Sequence, residues 1–294
     1  MRLQSKCHIA RSVLRVPFLF TLLLLALFLG EFSRSTVLEP WSTLVFDTVY
    51  AQETLRPSGE LSVFAAASLT EPFTEMGKRL EMAYPGLKVV YNFGGSPALR
   101  TQLEQGAHAD VFASADAIQM EQAKKGEVVQ GETPIFVKNR LVVITPKANP
   151  GKVTEFRDLA KPGLKLDLAN AKVPVGNYSR QAFSKASAEY GSGFEKSVLG
   201  NIVSEEENVK QVVTKVQLGE ADAGIVYVSD VTPKVSKDVL TVAIPDAYNQ
   251  LATYPIALTK GVQNRAAAEV FIAFVLSAEG QAILKAFHFI PVKE

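Results

Sequence analysis

Two serines stand where an apolar stretch of the sequence changes into a helix-forming stretch. Ser68 follows the apolar run 61–66, and Ser96 follows two glycines and precedes Pro97, which suits the first turn of a helix. A helix N-terminus carries unpaired backbone N–H groups, and with a nearby hydroxyl it attracts an anion without any charged side chain. Serine is also a common helix cap. An anion site at the carboxyl ends of two strands and a pair of plain caps are evenly matched interpretations.

The sequence offers little for catalysis. The single cysteine, Cys7, lies in the N-terminal segment, and the two histidines beyond that segment, His108 and His288, are 180 positions apart. None of the motifs of zinc proteases, P-loop proteins, serine hydrolases or dinucleotide-binding folds occurs. Spacing alone does not exclude a Ser/His/Asp triad, but nothing nominates one. We therefore expect a protein that is not an enzyme and carries no cofactor.

Several charged residues near these serines and elsewhere have structural interpretations. The glutamates at 205–207 are expected in the first turn of a helix spanning 205–218, with Ser204 and Glu207 as a capping box, rather than as metal ligands. Asp116 is expected to cap the helix that follows it. Two arginines, Arg100 and Arg180, lie early in helices near the expected site. Electrostatic assistance to an anion is one interpretation for them, and a solvated helix face is favoured.

Short apolar runs alternate with amphipathic stretches from about residue 60 onward. The apolar runs predict strands near Leu61–Ala66, Lys88–Phe93, Asp110–Ser114, Leu141–Thr145, Leu164–Leu168, Ala223–Val228 and Tyr254–Leu258. Helices are predicted between most of them, including 71–84, 97–105, 117–125, 205–218, 264–275 and 278–287. This alternation implies mostly parallel sheets covered by helices. About 235 residues is large for one such sheet, so two α/β lobes are expected.

The first 59 residues have the features of an export signal and linker. Four basic residues within positions 1–16 precede a 14-residue apolar run, Pro17–Gly30, which is short for a bilayer span. The best small-residue cleavage site ends at Ala51, and an uncleaved anchor with a tether is the alternative. We expect a periplasmic or extracytoplasmic protein.

The charge of the exported part argues against a nucleic-acid partner. The full chain has 31 Lys+Arg and 30 Asp+Glu, and the part from residue 60 onward has 25 and 26. Nucleic-acid-binding domains carry a basic excess, usually on one face. The exported part is nearly neutral and has no cysteine.

Six motifs follow one another along the exported part: Phe64–Thr70, Asn92–Ser96, Gly106–Asp116, Val173–Tyr178, Glu207–Val209 and Gly224–Asp230. In this order they resemble the periplasmic molybdate-binding proteins of ABC transporters, and the resemblance covers essentially all of 60–294. It implies an α/β fold with two Rossmann-like lobes of mixed or parallel sheets, the type II periplasmic-binding-protein architecture with a two-strand hinge. We place the crossings near 139 and 252. The first lobe is then 60–139 plus 252–294, and the second lobe is 140–251.

The resemblance also implies a set of ligand-binding residues. Ser68 and Ser96 match serines that donate hydroxyl and backbone N–H groups from the first lobe. In the second lobe, Val175 and Val209 match positions that donate backbone N–H groups, and Tyr227 matches a tyrosine whose hydroxyl reaches the ligand. Without the resemblance, Tyr227 would more readily be interpreted as an aromatic packed between the lobes.

The implied ligand is molybdate, with tungstate as a second expected ligand and molybdenum bound only as its oxyanion. A fully deprotonated tetrahedral dianion only accepts hydrogen bonds, and the five implied positions include no acceptor-only group, which favours molybdate, tungstate or sulfate over phosphate. Sulfate or another tetrahedral oxyanion is the alternative ligand. The implied partners are an ABC permease and its ATPase in the membrane, and the protein is expected to be a monomer.

Overall fold

The structure is a computed structural model that describes residues 57–292. The predicted export signal, its cleavage site after Ala51 and the sole cysteine lie outside the described residues. Within the described range, no single helix has both the length and the apolar character needed to cross a membrane. The consecutive helices Arg265–Leu276 and Ala278–Ala286 pass that test only when taken together, and they meet at a bend of 63°.

Strands and helices alternate through the part of the chain predicted as the first lobe. Its strands are β1 (Gly59–Ala66), β2 (Leu87–Gly94), β3 (Val111–Ala113), β4 (Val129–Gln130), the beginning of β5 (Ile135–Pro146), most of β10 (Leu251–Thr259) and β11 (Ile290–Pro291). Its helices are α1 (Thr70–Ala83), α2 (Ser96–Glu104), α3 (Ala117–Lys125), α7 (Arg265–Leu276) and α8 (Ala278–Ala286), and a 3-10 turn at Ala67–Leu69 leads into α1. Every strand and helix predicted in this range is present, with ends shifted by a few residues.

The part predicted as the second lobe has the same layered character. Its strands are the end of β5, then β6 (Leu166–Ala169), β7 (Ile202–Glu206), β8 (Ala223–Tyr227) and β9 (Val239–Ala243). Its helices are α4 (Pro174–Tyr190), α5 (Phe194–Gly200) and α6 (Val209–Gln217), with 3-10 turns at Phe156–Ala160, Val228–Asp230 and Val235–Lys237.

The strands form a mixed sheet that runs continuously through both lobes in the order β2-β1-β3-β10-β5-β8-β6-β7. At one end β1 pairs in parallel with β2 and β3, and at the other β6 pairs in parallel with β7 and β8. The two middle strands, β10 and β5, are antiparallel to their neighbours. This mixed α/β architecture with two parallel regions confirms the predicted fold class.

Strands β5 and β10 each pass from one parallel region to the other. The first half of β5 pairs with β10 and β11, and its second half pairs with β8 and β9. Asn139 faces Ala252 where β5 and β10 run side by side. The exact lobe boundaries stay a prediction, and the pairing of these two strands is the structural basis of the hinge.

The prediction for the acidic run at 205–207 was wrong. Ile202–Glu206 is the edge strand β7, and α6 begins only at Val209. The cap of α6 is Asn208, whose side-chain oxygen accepts hydrogen bonds from two backbone N–H groups of the first turn. The strand tolerates buried Glu206 because Lys215 Nζ from α6 lies 2.5 Å from its carboxylate. The charge that suggests a helix start is therefore neutralised by a lysine from the next element.

Aromatic side chains form the centre of each lobe's core. In the first lobe Phe73 packs edge-on against Phe271, with ring centroids 5.3 Å apart. In the second lobe Phe156 stacks on Phe183 at 5.9 Å. All four rings are at most 1% exposed. Burying each such side chain contributes roughly 1.5–3 kcal/mol, so each lobe has its own packed support for the helix starts that face the cleft.

Candidate functional site

A small cavity lies where the two lobes meet, with about 10 Å³ open to the centre of a water molecule. Pockets for drug-sized ligands occupy roughly 300–1,000 Å³, so this cavity suits only a small ligand. The structure brings all five residues implied by the resemblance to its walls: Ser68, Ser96, Val175, Val209 and Tyr227. The rest of the wall consists of Ala66, Ala67, Gly94, Gly95, Ala115, Val173, Pro174 and Asn208.

The first lobe presents two buried serine hydroxyls. Ser96 is the first residue of α2, and its Oγ accepts a hydrogen bond from the Ala115 N–H at 3.1 Å. Because that bond uses a lone pair of Oγ, the hydroxyl proton of Ser96 remains available to a ligand. Ser68 lies in the 3-10 turn before α1, and its Oγ is 3.0 Å from the hydroxyl oxygen of Tyr254. When Tyr254 donates in this pair, the Ser68 proton is also free to be donated.

The second lobe presents two backbone N–H groups at helix starts. Val175 is the second residue of α4, where the N–H groups have no partner within the helix. Val209 is the first residue of α6. The Asn208 side chain accepts from the next two N–H groups along, at 3.0 and 3.2 Å, so its cap leaves the Val209 N–H unengaged. Val175 therefore donates from the first turn of a helix, as does Val209.

Tyr227 contributes a hydroxyl that the protein itself does not satisfy. The side chain is 1% exposed, and its oxygen has no hydrogen-bond partner among the described residues. Its ring packs edge-on against Tyr254, with centroids 5.8 Å apart. Burial raises the pKa of Tyr227 well above its usual value, so the hydroxyl stays protonated and acts as a donor. Tyr227 thus packs between the lobes and also presents a donor to the cavity.

The electrostatics of the cavity come from helix ends rather than from charged side chains. Among the described residues that line it, none carries a charge. The N-terminal ends of α2, α4 and α6, together with the 3-10 turn before α1, all meet there, and each α-helix N-terminus carries about half a positive charge. Asp116 lies just behind the wall as the cap of α3, as predicted, accepting from the Gln119 N–H at 2.8 Å. Burial raises the pKa of Asp116 to about 6.

The lobes touch at the mouth of the cavity through backbone atoms. A Cβ on Gly95 would lie 2.1 Å from the carbonyl oxygen of Glu207, so no larger residue fits at position 95 in this arrangement. A Cβ on Gly176 would lie 2.2 Å from two carbonyl oxygens at the end of β6. These two glycines allow the donor-bearing helix starts to approach the cleft closely.

Arg180 and Arg100 have more specific roles than the solvated helix faces predicted for them. Arg180 donates to the carbonyl oxygens of Ala169 and Gly176, at 3.1 and 2.9 Å, and so fixes the start of α4 against the end of β6. Arg100 bonds to Gln119 and pairs with Glu104. Sequence reasoning missed Arg180 as a support for the Val175 turn, although its spacing of four from Gly176 places both on one helix face.

Tyr254 is a second residue that sequence reasoning missed. It is fully buried in β10 and bonds to Ser68 across 186 positions of sequence. No local pattern marks such a contact, because it depends on how β10 crosses between the lobes. For metals, the described part of the chain holds no cluster of three or more His, Cys, Asp or Glu side chains that could bind an ion.

Comparison with known proteins places this chain in a family. Residues 61–290 match the family described as bacterial extracellular solute-binding protein. The molybdate-binding protein ModA of Mycobacterium tuberculosis is 40% identical over 222 residues, which is 76% of this chain and 81% of that protein.

Solved structures share the fold at lower identity. The sulfate-binding protein SubI of Mycobacterium tuberculosis has a TM-score of 0.71 at 17% identity, covering 80% of this chain and 87% of that chain. The periplasmic molybdate-binding protein of Azotobacter vinelandii has a TM-score of 0.68 at 22% identity, covering 78% of this chain and 98% of that chain. The chain therefore belongs to the bacterial extracellular solute-binding proteins, among the ModA-type periplasmic molybdate-binding proteins, and is a binding protein rather than an enzyme.

Proposed function

We propose that this protein captures molybdate in the cavity between its lobes and delivers it to an ABC importer. The observation that carries the proposal is the composition of the cavity wall: hydroxyls and helix-start N–H groups from both lobes, with no charged side chain among its described residues. A tetrahedral dianion accepts hydrogen bonds on every oxygen and donates none, so a wall built to donate matches it. The molybdate-binding relative at 40% identity supports the same ligand.

The ligand is proposed to hold the lobes together. Ser68 and Ser96 donate from the first lobe, while Val175, Val209 and Tyr227 donate from the second. Because neither lobe alone can satisfy all the oxygens, binding favours the closed arrangement over an open one. Closure would give the membrane permease and its ATPase a signal that the receptor is loaded. We further propose that the protein acts outside the cytoplasm as a monomer.

Tungstate is proposed as a second ligand, because its oxyanion has the same charge and shape. Sulfate is the competing candidate, since a wall of donors suits any tetrahedral dianion and the fold is shared with a sulfate-binding protein. Pocket size distinguishes molybdate from sulfate, because the Mo–O bond is longer than the S–O bond. Phosphate is disfavoured, since it carries a proton near neutral pH and the described wall includes no carboxylate to accept it.

A thermal-shift and titration panel tests the proposal on the protein purified after export. A ligand that binds only the native state stabilises it by about 2.7 kcal/mol at a hundredfold excess over Kd. For a protein of this size that raises the melting temperature by roughly 5–10 °C. We expect this shift, and tight binding by isothermal titration, with molybdate and tungstate. If only sulfate raised the melting temperature, sulfate would replace molybdate as the proposed ligand. If no tetrahedral oxyanion raised it, the proposed function would be refuted.

A further inference from the structure

Lys210 makes ionic contacts with two carboxylates at the back of the ligand site. Its Nζ lies 2.9 and 2.8 Å from the two carboxylate oxygens of Glu71, and 3.1 Å from Oδ1 of Asp230. The Lys210 and Glu71 side chains are 26% and 34% exposed, while that of Asp230 is fully buried. We call these three residues the Lys210 triad.

Two members of the Lys210 triad lie within three positions of ligand-site residues along the chain. Glu71 lies in the first turn of α1, three positions after Ser68, and Lys210 follows Val209 at the start of α6. The ion pair between them therefore ties together a hydroxyl donor of the first lobe and a backbone donor of the second, without itself lining the cavity.

The third member supports the tyrosine. Asp230 lies three positions after Tyr227, and its Oδ2 accepts a hydrogen bond from the Tyr227 N–H at 3.1 Å. Since Asp230 and Lys210 both belong to the second lobe, their contact persists when the lobes separate. Lys210 is thereby held in place, with its remaining N–H groups directed at Glu71.

Opening of the cleft must break the contact between Lys210 and Glu71. In the described part of the chain, the other ion pairs join residues of the same lobe. The remaining contacts across the cleft mouth are neutral, such as the Gln119 side chain donating to the Lys172 carbonyl oxygen at 3.4 Å. A charge-assisted hydrogen bond is roughly twice as strong as a neutral one, and the partial burial of Lys210 and Glu71 limits the solvent screening that weakens fully exposed ion pairs.

We propose that the ion pair between Lys210 and Glu71 is a latch that sets how long the closed lobes hold the ligand. This inference rests on the proposed function. Both residues are positioning residues, since neither lines the cavity. The latch forms only in the closed state, so it slows ligand release while leaving the first encounter with the ligand unchanged. Loss of the ion pair destabilises the closed state relative to the open one. We expect this to raise the release rate by a factor of roughly 5–30.

The sign of the effect distinguishes a latch from simple electrostatics. Glu71 carries a negative charge near a site for a dianion, so removing that charge would by itself strengthen binding and slow release. A latch predicts the opposite result for Glu71→Gln. The exposed Glu75 lies one turn further along α1 and pairs with Arg79 inside the first lobe, so Glu75→Gln removes the same charge without touching the cleft.

The experiment measures release of labelled molybdate after a chase with excess unlabelled molybdate, for the wild type and both variants. We expect release from Glu71→Gln to be roughly 5–30 times faster than from the wild type, with an unchanged association rate, and wild-type behaviour from Glu75→Gln. Increasing salt should accelerate release from the wild type and have less effect on Glu71→Gln, because screening weakens the ion pair.

Unchanged or slower release from Glu71→Gln would overturn the latch. A Glu71→Gln variant with an altered far-UV spectrum would be replaced by Glu71→Ala, which also removes the carboxylate that Lys210 contacts and is expected to release the ligand faster than the wild type. Unchanged release from that folded variant would also overturn the latch. Failure of the wild type to bind molybdate would refute the proposed function instead, and the wild-type titration reveals it before any variant is compared.

Discussion

The hydroxyl of Tyr227 allows a test in which stability and affinity move in different directions. In the protein alone this buried oxygen has no partner within the described residues. A buried polar group without a hydrogen bond costs about 1–3 kcal/mol. Tyr227→Phe removes the hydroxyl and keeps the ring that packs against Tyr254. We therefore expect the ligand-free variant to be at least as stable as the wild type.

The affinity of the same variant should fall. If Tyr227 donates to the bound dianion, the substitution removes one hydrogen bond to a charged group, which contributes about 1.5–3 kcal/mol. At about 1.4 kcal/mol per tenfold change, Kd for molybdate should rise roughly 10- to 150-fold. Thermal unfolding without ligand and isothermal titration with molybdate measure the two effects separately.

Tyr91→Phe provides the matched control. The Tyr91 hydroxyl donates to the carbonyl oxygen of Phe73 at 2.5 Å, within the first lobe and away from the cavity wall. Its removal should lower stability by about 1 kcal/mol and leave the affinity unchanged. If Tyr227→Phe lost stability and kept its affinity, Tyr227 would be a packing residue only, and the assignment of its hydroxyl to the ligand would be refuted.

Three further substitutions test other parts of the site and the fold. Ser96→Ala should weaken molybdate binding by roughly 1–3 kcal/mol in titrations, and an unchanged Kd would remove Ser96 from the site. Gly95→Ala would place a Cβ 2.1 Å from the Glu207 carbonyl oxygen and so hinder closure of the lobes. The Kd for molybdate should rise more than about tenfold, while the stability of the ligand-free protein is unchanged. A wild-type Kd would show that closure does not need this close approach. Burial beside Glu206 raises the pKa of Asp167 from 3.8 to about 8. Between these two pH values the folded protein holds a proton that the unfolded chain has lost, so the free energy of unfolding falls as the pH rises from about 4 to about 8. Asp167→Asn should flatten that decline and be more stable at pH 8 by about 2 kcal/mol or more, whereas an unchanged pH profile in denaturant unfolding would show that Asp167 is ionised in the native state.

The parts of the fold that the sequence predicted are those with strong local signals. The apolar runs predicted β1, β2 and β8 to within two residues at each end. β1 and β8 are central strands, whose burial on both faces produces such a run. Pro97 and Pro174 lie in the first turns of α2 and α4, where proline has no N–H to lose.

The edge strand β7 could not be predicted in the same way. Its residues alternate between partly buried and exposed, but the buried position is Glu206, which pairs with Lys215 from a different element. Composition near 205–207 therefore suggested a helix start. Only tertiary packing, which brings α6 over the end of the sheet, makes a buried glutamate compatible with a strand.

The site shows the same division between local and long-range information. Ser68 and Ser96 could be found from strand-to-helix transitions alone, whereas Val175 and Val209 came from the family resemblance, because a backbone donor leaves no trace in residue type. The contact between Ser68 and Tyr254 joins positions 186 residues apart. Nothing in a single sequence reports it, since it arises from the path of β10.

The pairing of β5 with β10 also determines the kind of motion open to the lobes. Leu251, Ala252 and Thr253 face Arg140, Asn139 and Lys138 in an antiparallel ladder, so the two crossings are hydrogen-bonded to each other. We therefore expect the two crossings to bend together, so that opening is mainly a rotation of one lobe away from the other. One distance across the cleft, reported by a single pair of spectroscopic labels, would then be a sufficient coordinate for the whole conformational cycle.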